Sequence, residues 1–576
     1  MLANPLKRIR NGPSVLAVVR QRLQPLFTLR SGNGYLLPVA AFSGIQGAVE
    51  PESGLYFPPS WSHPLAHPLP QDAPVVAERP LQHPYRWLEV IFGLLVWALV
   101  TAPFWAPALS PKVFLYSIIA FDVWWLLRSL STVLFGVIGF FKVKAAMRTD
   151  WFARYLHAEA SHKTYCRWQD VHHLVIIPNL SEKIEKLRKT LTHIALQDEA
   201  KERISVVLAM EAREGGAEAK AALLLTEFQD RFAHIFYTLH PADLPGETKG
   251  KSSNECWAAK RAKDRLVDQM GYNLDHIVIT IADADSVFHP QYFSCLTYKF
   301  CTDPRRHRRF WQSPIMQYNN VWQVPWLVRM VSVLPGISYL ADLVKPHQVV
   351  FPYSTYSLSL RMAHEVGYWD ANVVPEDWHM FLKSFFHLNG EVDVVPIFLP
   401  THCDAVHASS YWKTLVNCYR QAKRWAWGAT DVIYAAAQFL EHRDIPFWRR
   451  LRRLWKVTEH HLLWAPYWFL ITLGAVIPSL TYGVQGSRNP LAELLAIPGM
   501  VLSLCLVPLV GLLLVDVLMR PPRPAHVRWW MALLGYLPWL FIMPLTSLFF
   551  AALPALDAHT RLMLGQLLDY HVTEKA

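Results

Sequence analysis

Three short stretches carry side chains whose types and spacing could do chemistry. The first is Asp283-Ala284-Asp285, directly after the apolar run HIVITIA (276–282). In extended backbone, residues i and i+2 point the same way, so both carboxylates can face one point. One or two carboxylates plus substrate phosphates is the usual way to hold Mg²⁺ or Mn²⁺ at a nucleotide. By itself a DxD reads more readily as a loop capping the next helix, and the apolar strand before it tips the balance towards the metal. The second stretch is VVPEDWHMFLKSFFHLNG (373–390). Pro375 starts a helix, Gly390 ends it, and Trp378, Phe381, Leu382 and Phe385 mark its buried face. Glu376 and Asp377 fall in its first turn, where acids complement the helix dipole. On a helix anchored by an aromatic face, one of them could equally serve as a general base held against a cleft. The third stretch is QAKRWAWG (421–428). Gln421, Arg424, Trp425 and Gly428 fall at i, i+3, i+4 and i+7 and share a helical face. An Arg fork beside an indole suits phosphate plus sugar or base. Trp and Arg equally favour a membrane surface, and local chemistry does not separate the two.

Two weaker stretches accompany them. KGKSSN (249–254) sets two lysines and a glycine at a helix N-terminus, which can meet phosphate or simply be a solvated loop. THCDAVH (401–407) gathers His402, Cys403, Asp404 and His407, and reads as a polar loop before it reads as a metal site.

The elements that must position these residues follow from periodicity. HHLVIIP (172–178), ISVVLAM (204–210), HIFYTL (234–239) and HIVITIA read as strands. Between them, SEKIEKLRKTLTHI, GAEAKAALLLTEFQDRF and SSNECWAAKRAKDRLVDQM read as helices, the last capped by Ser252, Ser253 or Asn254. Alternation of this kind predicts an α/β layer with a mainly parallel sheet, whose ligands gather at the carboxyl ends of the strands. The Asp283-Asp285 pair lies at such an end. Residues 411–440 suit one or two helices.

Membrane segments flank this region. Of 576 residues, 52% are hydrophobic, and so apolar an average over so long a chain suggests membrane segments, because soluble domains must keep a polar skin. Apolar runs at 87–109, 113–141, 462–482, 494–519 and 529–553 each reach the length a helix needs to span a bilayer. Basic clusters at Lys142–Arg154, Arg443–Lys456 and Arg520–Arg528 belong on the cytoplasmic side. They account for the net charge of +11, so nucleic acid is not needed to explain it. Seven scattered cysteines with no CxxC fit reduced thiols and no structural zinc. The N-terminus carries no signal-peptide pattern.

Taken in order, these pieces resemble the family 2 glycosyltransferases, in particular the membrane-embedded synthases related to cellulose and hyaluronan synthases. Those enzymes share a nucleotide-sugar-binding α/β domain of the GT-A type. Its motifs run DxD, an acidic pair written TED, then QxxRW before the C-terminal membrane helices. The counterparts are Asp283-Ala-Asp285, Pro375-Glu376-Asp377 and Gln421-Ala-Lys-Arg424-Trp425. The resemblance spans residues 170 to 430, and VTEK (572–575) is reminiscent of how such chains often end. It implies that Asp283 and Asp285 contact the donor diphosphate and its Mg²⁺ or Mn²⁺. Asp377 would be the catalytic base, with Glu376 beside it, and Gln421, Arg424 and Trp425 would shape the donor and acceptor site. Pro178, Glu182, Glu211, Lys251 and Asn254 match further donor-side positions. Glu211 stands where the family usually has Asp near uracil, PNLSE is a loose form of the family's PxYNE, and Ser354 replaces a common Gly near the acceptor.

The implied organisation is an N-terminal cytosolic extension (1–86), two transmembrane helices (87–141), a GT-A domain (150–430), an interfacial basic linker (431–460), about three transmembrane segments (461–553) and a tail (554–576). The implied activity is inverting transfer from a UDP-sugar to a polysaccharide or lipid-linked acceptor, in the inner cell membrane among its lipids, with the catalytic domain cytoplasmic. A non-catalytic scaffold or transporter with a nucleotide-binding domain is the alternative. On the QxxRW helix, Arg420, Lys423 and Trp427 are expected on the side away from the sugar.

Overall fold

The computed structural model describes residues 85–482, 490–525, 527–528, 537–566 and 568. Nearly all of the expected N-terminal extension, and the VTEK ending, lie outside the described residues. Among the described residues ten strands appear: β1 (His172–Pro178), β2 (Ile204–Glu211), β3 (His234–His240), β4 (Ile277–Ile281), β5 (Val287–Phe288), β6 (Arg309–Gln312), β7 (Ile315–Met316), β8 (Tyr356–Ser359), β9 (Asp393–Pro396) and β10 (Thr401–His402). The main sheet runs β3-β2-β1-β4-β8-β6-β9, and a small one runs β5-β10-β7. The β1, β2, β3 and β4 pairings are parallel, and β8 enters antiparallel between β4 and β6. Buried on both faces, β1, β2 and β4 read in sequence as continuous apolar runs.

Two long helices precede the sheet, α1 (Arg86–Leu109) and α2 (Pro111–Ala146), and α3 (Trp151–Ala160) leads into it. The crossover helices are α4 (Ile184–Ala195), α5 (Ala217–Phe228) and α6 (Lys251–Lys263). After β4 come α7 (Tyr292–Thr302), α8 (Trp326–Val344), α9 (Leu360–Glu365) and α10 (Glu376–His387). Strand pleating divides the core. Leu174 and Ile176 of β1 face α6 and α10, while Val175 and Ile177 face α4 and α7.

The capping expectation for α6 needs correcting. The helix begins at Lys251 after an extended Gly250, and Ser252, Ser253 and Asn254 are buried inside its first turn. Ser252 and Asn254 spend their polar groups on tertiary partners, the Asp370 carbonyl (2.7 Å) and the Ala209 carbonyl (2.7 Å), while the Ser253 hydroxyl donates back to the Gly250 carbonyl at 3.0 Å. Beyond Lys263 a π-helical turn, Asp264–Gln269, carries the chain to the expected end.

The C-terminal part is helical: α11 (Tyr411–Ala426), α12 (Thr430–Glu441), α13 (Phe447–Trp464), α14 (Pro466–Tyr482), α15 (Pro490–Leu504), α16 (Leu506–Met519), α17 (Leu537–Ser547) and α18 (Leu553–Leu564). Among the described residues five helical stretches are long and apolar enough to cross a membrane: Arg86–Leu109, Pro111–Ala146, Trp326–Val344, Leu494–Met519 and Phe541–Leu564. The pair Phe447–Trp464 and Pro466–Leu480, bent by 54°, makes a sixth if counted as one. The sequence reading did not single out Trp326–Val344. Half of its apolar window is buried in protein. At Gly336 a Cβ would lie 2.7 Å from the Ile315 carbonyl oxygen, so this helix rests its backbone directly on β7.

Candidate active site

The carboxyl edge of the sheet brings α6, β4 and α10 onto one ammonium group. Lys251, the first residue of α6, sets its Nζ 2.9 Å from Asp283, 2.6 Å from Glu376 and 3.6 Å from Glu255. It also donates to the Ser354 carbonyl at 3.4 Å. Glu255 lies one helical turn after Lys251 and is fully buried. Burial acts to lower the Lys251 pKa, but Asp283, Glu376 and Glu255 together hold it well above its ordinary value. Burial pushes the Glu255 carboxyl well up, which favours its neutral form. The charged core of the cluster is therefore Lys251 between Asp283 and Glu376.

Asp377 stands beside this cluster, tied by backbone groups. One carboxylate oxygen accepts from the Ser354 N–H at 3.1 Å, the other from the Trp378 N–H at 2.8 Å. Burial, with Glu376 next to it, raises its pKa to about 7. Ser354 also donates its hydroxyl to Asp283, so one residue bridges the DxD strand end and the acidic helix. It does so at φ +61°, in the left-handed region that disfavours side chains. Glycine there removes that cost, whereas alanine keeps it, and both lose the hydroxyl. Ser354→Gly is therefore expected to be more stable than Ser354→Ala by about 1 kcal/mol in paired unfolding curves. Equal stability would remove the strain from the account.

Asp285 differs from Asp283. It is 5% exposed, accepts from the Asp404 N–H at 3.2 Å, and its carbonyl accepts from the Asn319 amide at 2.8 Å. Lys186 pairs with Glu182 at 3.0 Å and lies 3.7 Å from Asp404, so Glu182 and the 401–407 stretch flank the Asp285 side. Pro178 ends β1 opposite Ala209, whose carbonyl also takes the Asn254 amide. Asn254 is thus buried beneath the cleft. Glu211 ends β2 in an ion pair with Arg213, and burial raises its pKa. Among the described residues, no group of three or more His, Cys, Asp or Glu side chains is set to hold a metal ion.

The QxxRW stretch closes α11. Gln421 is 7% exposed and Trp425 is 43% exposed. The α-helix stops at Ala426, and a 3-10 turn, Trp427–Ala429, leads into α12. Gly428 lies within that turn. A Cβ on Gly428 would lie 3.1 Å from the His461 ring and 3.9 Å from Pro375, so the turn abuts the start of the acidic helix. Trp427 does not face outward as expected. It is 6% exposed within the core that holds Phe381 and Phe385. Lys423 pairs with Asp557 of α18 at 3.0 Å.

Of the residues singled out from sequence, Lys251, Asp283, Glu376 and Asp377 meet in one bonded cluster. Sequence reasoning missed Glu255, whose signal was its i+4 spacing from Lys251. It also missed the bridging part played by Ser354, and Asp404 as the backbone neighbour of Asp285.

Residues 278–543 match the family described as glycosyl transferase family group 2. The match starts in β4, takes in the DxD, the acidic pair and QxxRW, and ends within α17. It covers just under half of the 576 residues. Among solved structures, the chain is similar to the mannosyltransferase PcManGT from Pyrobaculum calidifontis in complex with GDP-Man and Mn²⁺. That likeness has 15% identity and a TM-score of 0.38, and covers 67% of this chain and 96% of that one. It is also similar to residues 1–349 of S. aureus TarS in complex with UDP-GlcNAc, at 10% identity and a TM-score of 0.32, covering 70% and 94%. No curated protein sequence matches. The mostly parallel GT-A-like sheet and the family match over residues 278–543 make this chain a glycosyltransferase.

Proposed function

We propose that the chain is an inverting, membrane-embedded transferase that moves a sugar from a nucleoside-diphosphate donor, a UDP-sugar in the first instance, to a glycan or lipid-linked acceptor. The observation that carries this reading is the single cluster of Lys251, Asp283, Ser354, Glu376 and Asp377 at the carboxyl edge of the sheet. Asp283, its side chain 29% exposed, offers hard oxygen donors at the cleft. That suits Mg²⁺ or Mn²⁺ completed by donor phosphates, with Asp285 behind it. Such an ion, when bound, neutralises charge on the departing diphosphate.

The chain's own residues do the rest. Asp377 takes the proton from the acceptor hydroxyl that attacks the anomeric carbon. Its two backbone hydrogen bonds fix the carboxylate, and Glu376, engaged by Lys251, keeps a second negative charge alongside. Lys251 and Arg424 supply positive charge towards the leaving diphosphate. Gln421 and Trp425 line the sugar side, with Pro178, Glu182, Glu211 and Asn254 shaping the donor floor. The basic clusters orient the spans so that this site faces the cytoplasm.

A base is active only when deprotonated, so kcat/KM is expected to fall as pH drops through about 7, the value to which Asp377 is raised. A rate flat from about pH 5 to 8 would exclude Asp377 as the titrating base. The identity of the donor is tested by incubating membranes with labelled nucleotide sugars and sizing the product, with Asp285→Asn as control. Transfer from one donor, lost in the variant, is expected. Failure of every donor with either metal would favour a non-catalytic scaffold.

A further inference from the structure

Behind the acidic pair, one buried histidine ties together the three segments that carry the candidate site. His379 lies one helical turn after Glu376 in α10 and is 6% exposed. Its Nδ1 is 2.8 Å from Asp431 of α12, and its Nε2 is 3.0 Å from Asp370, in the segment leading into α10. Both ring nitrogens face carboxylates, and only the doubly protonated ring can donate to both. Asp431 is fully buried and lies just beyond the QxxRW stretch. The Asp370 carbonyl accepts from Ser252, the neighbour of Lys251, and the Thr248 N–H donates to the Ala371 carbonyl at 2.8 Å. The α6 start, the acidic helix and α12 are thus joined through one imidazole.

We propose that His379, as a cation between Asp370 and Asp431, is a positioning residue for sugar transfer, locking the first turn of α10 against α6 and α12. The role rests on reading Asp377 as the base. His379 touches neither donor nor acceptor in this account. It fixes the direction from which the Asp377 carboxylate meets an acceptor hydroxyl.

The charged surroundings fit a ring that stays protonated. From α12 come Asp431 and the Tyr434 ring, centred 4.3 Å away. From the segment before α10 comes Asp370, which also binds Lys383. From α10 itself come Lys383 and Glu376. Burial opposes the charge on His379, but the two carboxylates overcome it and lift the ring to about 9. Burial works to raise the Asp370 pKa, but His379 and Lys383 together hold it below the usual carboxylate range. A histidine raised on folding stabilises fully below its unfolded value of about 6.5, and loses that contribution as pH rises through about 9.

The test compares wild-type protein with Asp431→Asn, measuring Tm, kcat and donor KM from about pH 6 to 10. Wild type is expected to lose Tm and kcat together near pH 9. With one anion gone, both falls should move to lower pH, while donor KM stays within about twofold of wild type. Falls at an unchanged pH, or a KM that rises in step with the loss of kcat, would overturn the proposal. If Asp431→Asn does not fold, Asp370→Asn, whose native side chain is 33% exposed, carries the same expectations. A shifted melting curve in protein that transfers no sugar at all would overturn the transferase reading and this role with it, leaving only the ion triad.

Discussion

Asp377→Asn is expected to lower kcat about 10²- to 10⁴-fold, the range a positioned general base contributes, with nucleotide affinity unchanged. The substitution is nearly isosteric. The amide oxygen can still accept from the Ser354 or Trp378 N–H, so the α10 start keeps its shape. What is lost is the ability to take a proton. Asp377 suits that task because burial and Glu376 raise it to about 7, where a base is half-ionised at neutral pH and still strong enough to act. Glu376 cannot replace it, because its carboxylate is engaged by Lys251 at 2.6 Å. Steady-state kinetics beside a nucleotide-binding measurement on the same preparation decides the matter. A variant with wild-type kcat would remove Asp377 from the chemistry.

Lys251→Ala should carry the largest stability cost of any single change at the site. The ammonium is 12% exposed and neutralises Asp283 and Glu376, with Glu255 beneath. Removing one partner of a buried ion pair leaves charge without compensation and typically costs about 3–5 kcal/mol. Here two carboxylates lose their partner at once. Chemical unfolding of wild type and Lys251→Ala at neutral pH measures it. Equal stability at neutral pH would mean that the carboxylates do not depend on this cation.

The two variants separate roles that the geometry links. Asp377→Asn changes rate and leaves the fold, whereas Lys251→Ala changes the fold first. Glu255→Gln offers an internal check. Burial favours the neutral form of Glu255, so a neutral amide is a mild change there and should cost much less than Lys251→Ala.

The parts of this site visible in sequence are those governed by local periodicity. β1, β2 and β4 are buried on both faces, so their apolar runs marked strand ends within a residue or two. The strand-end DxD and the first turn of α10 followed from the same patterns. What escaped depends on long-range pairing. By local sequence Lys251 read more readily as part of a solvated surface loop than of a phosphate site, and nothing in KGKSSN predicts three carboxylate neighbours. Ser354 meets Asp283 across 71 residues of chain, and the one hint of its left-handed backbone was that the resembled family commonly has Gly there. The α-helix tightens into a 3-10 turn at Trp427, which spacing arguments assume away. Ser252, Ser253 and Asn254 looked like caps by composition, but the Asp370, Gly250 and Ala209 carbonyls claim them. At Ser252, Asn254 and Ser354 tertiary contacts overrode a local rule.

The most direct test of the account uses the purified chain in lipid nanodiscs with its active donor and Mg²⁺ or Mn²⁺. Released nucleoside diphosphate and the configuration of the new glycosidic bond are read together. One diphosphate for each sugar transferred, with the anomeric configuration opposite to the donor's, is the predicted result. Retained configuration, or no diphosphate released from any nucleotide sugar, would contradict it.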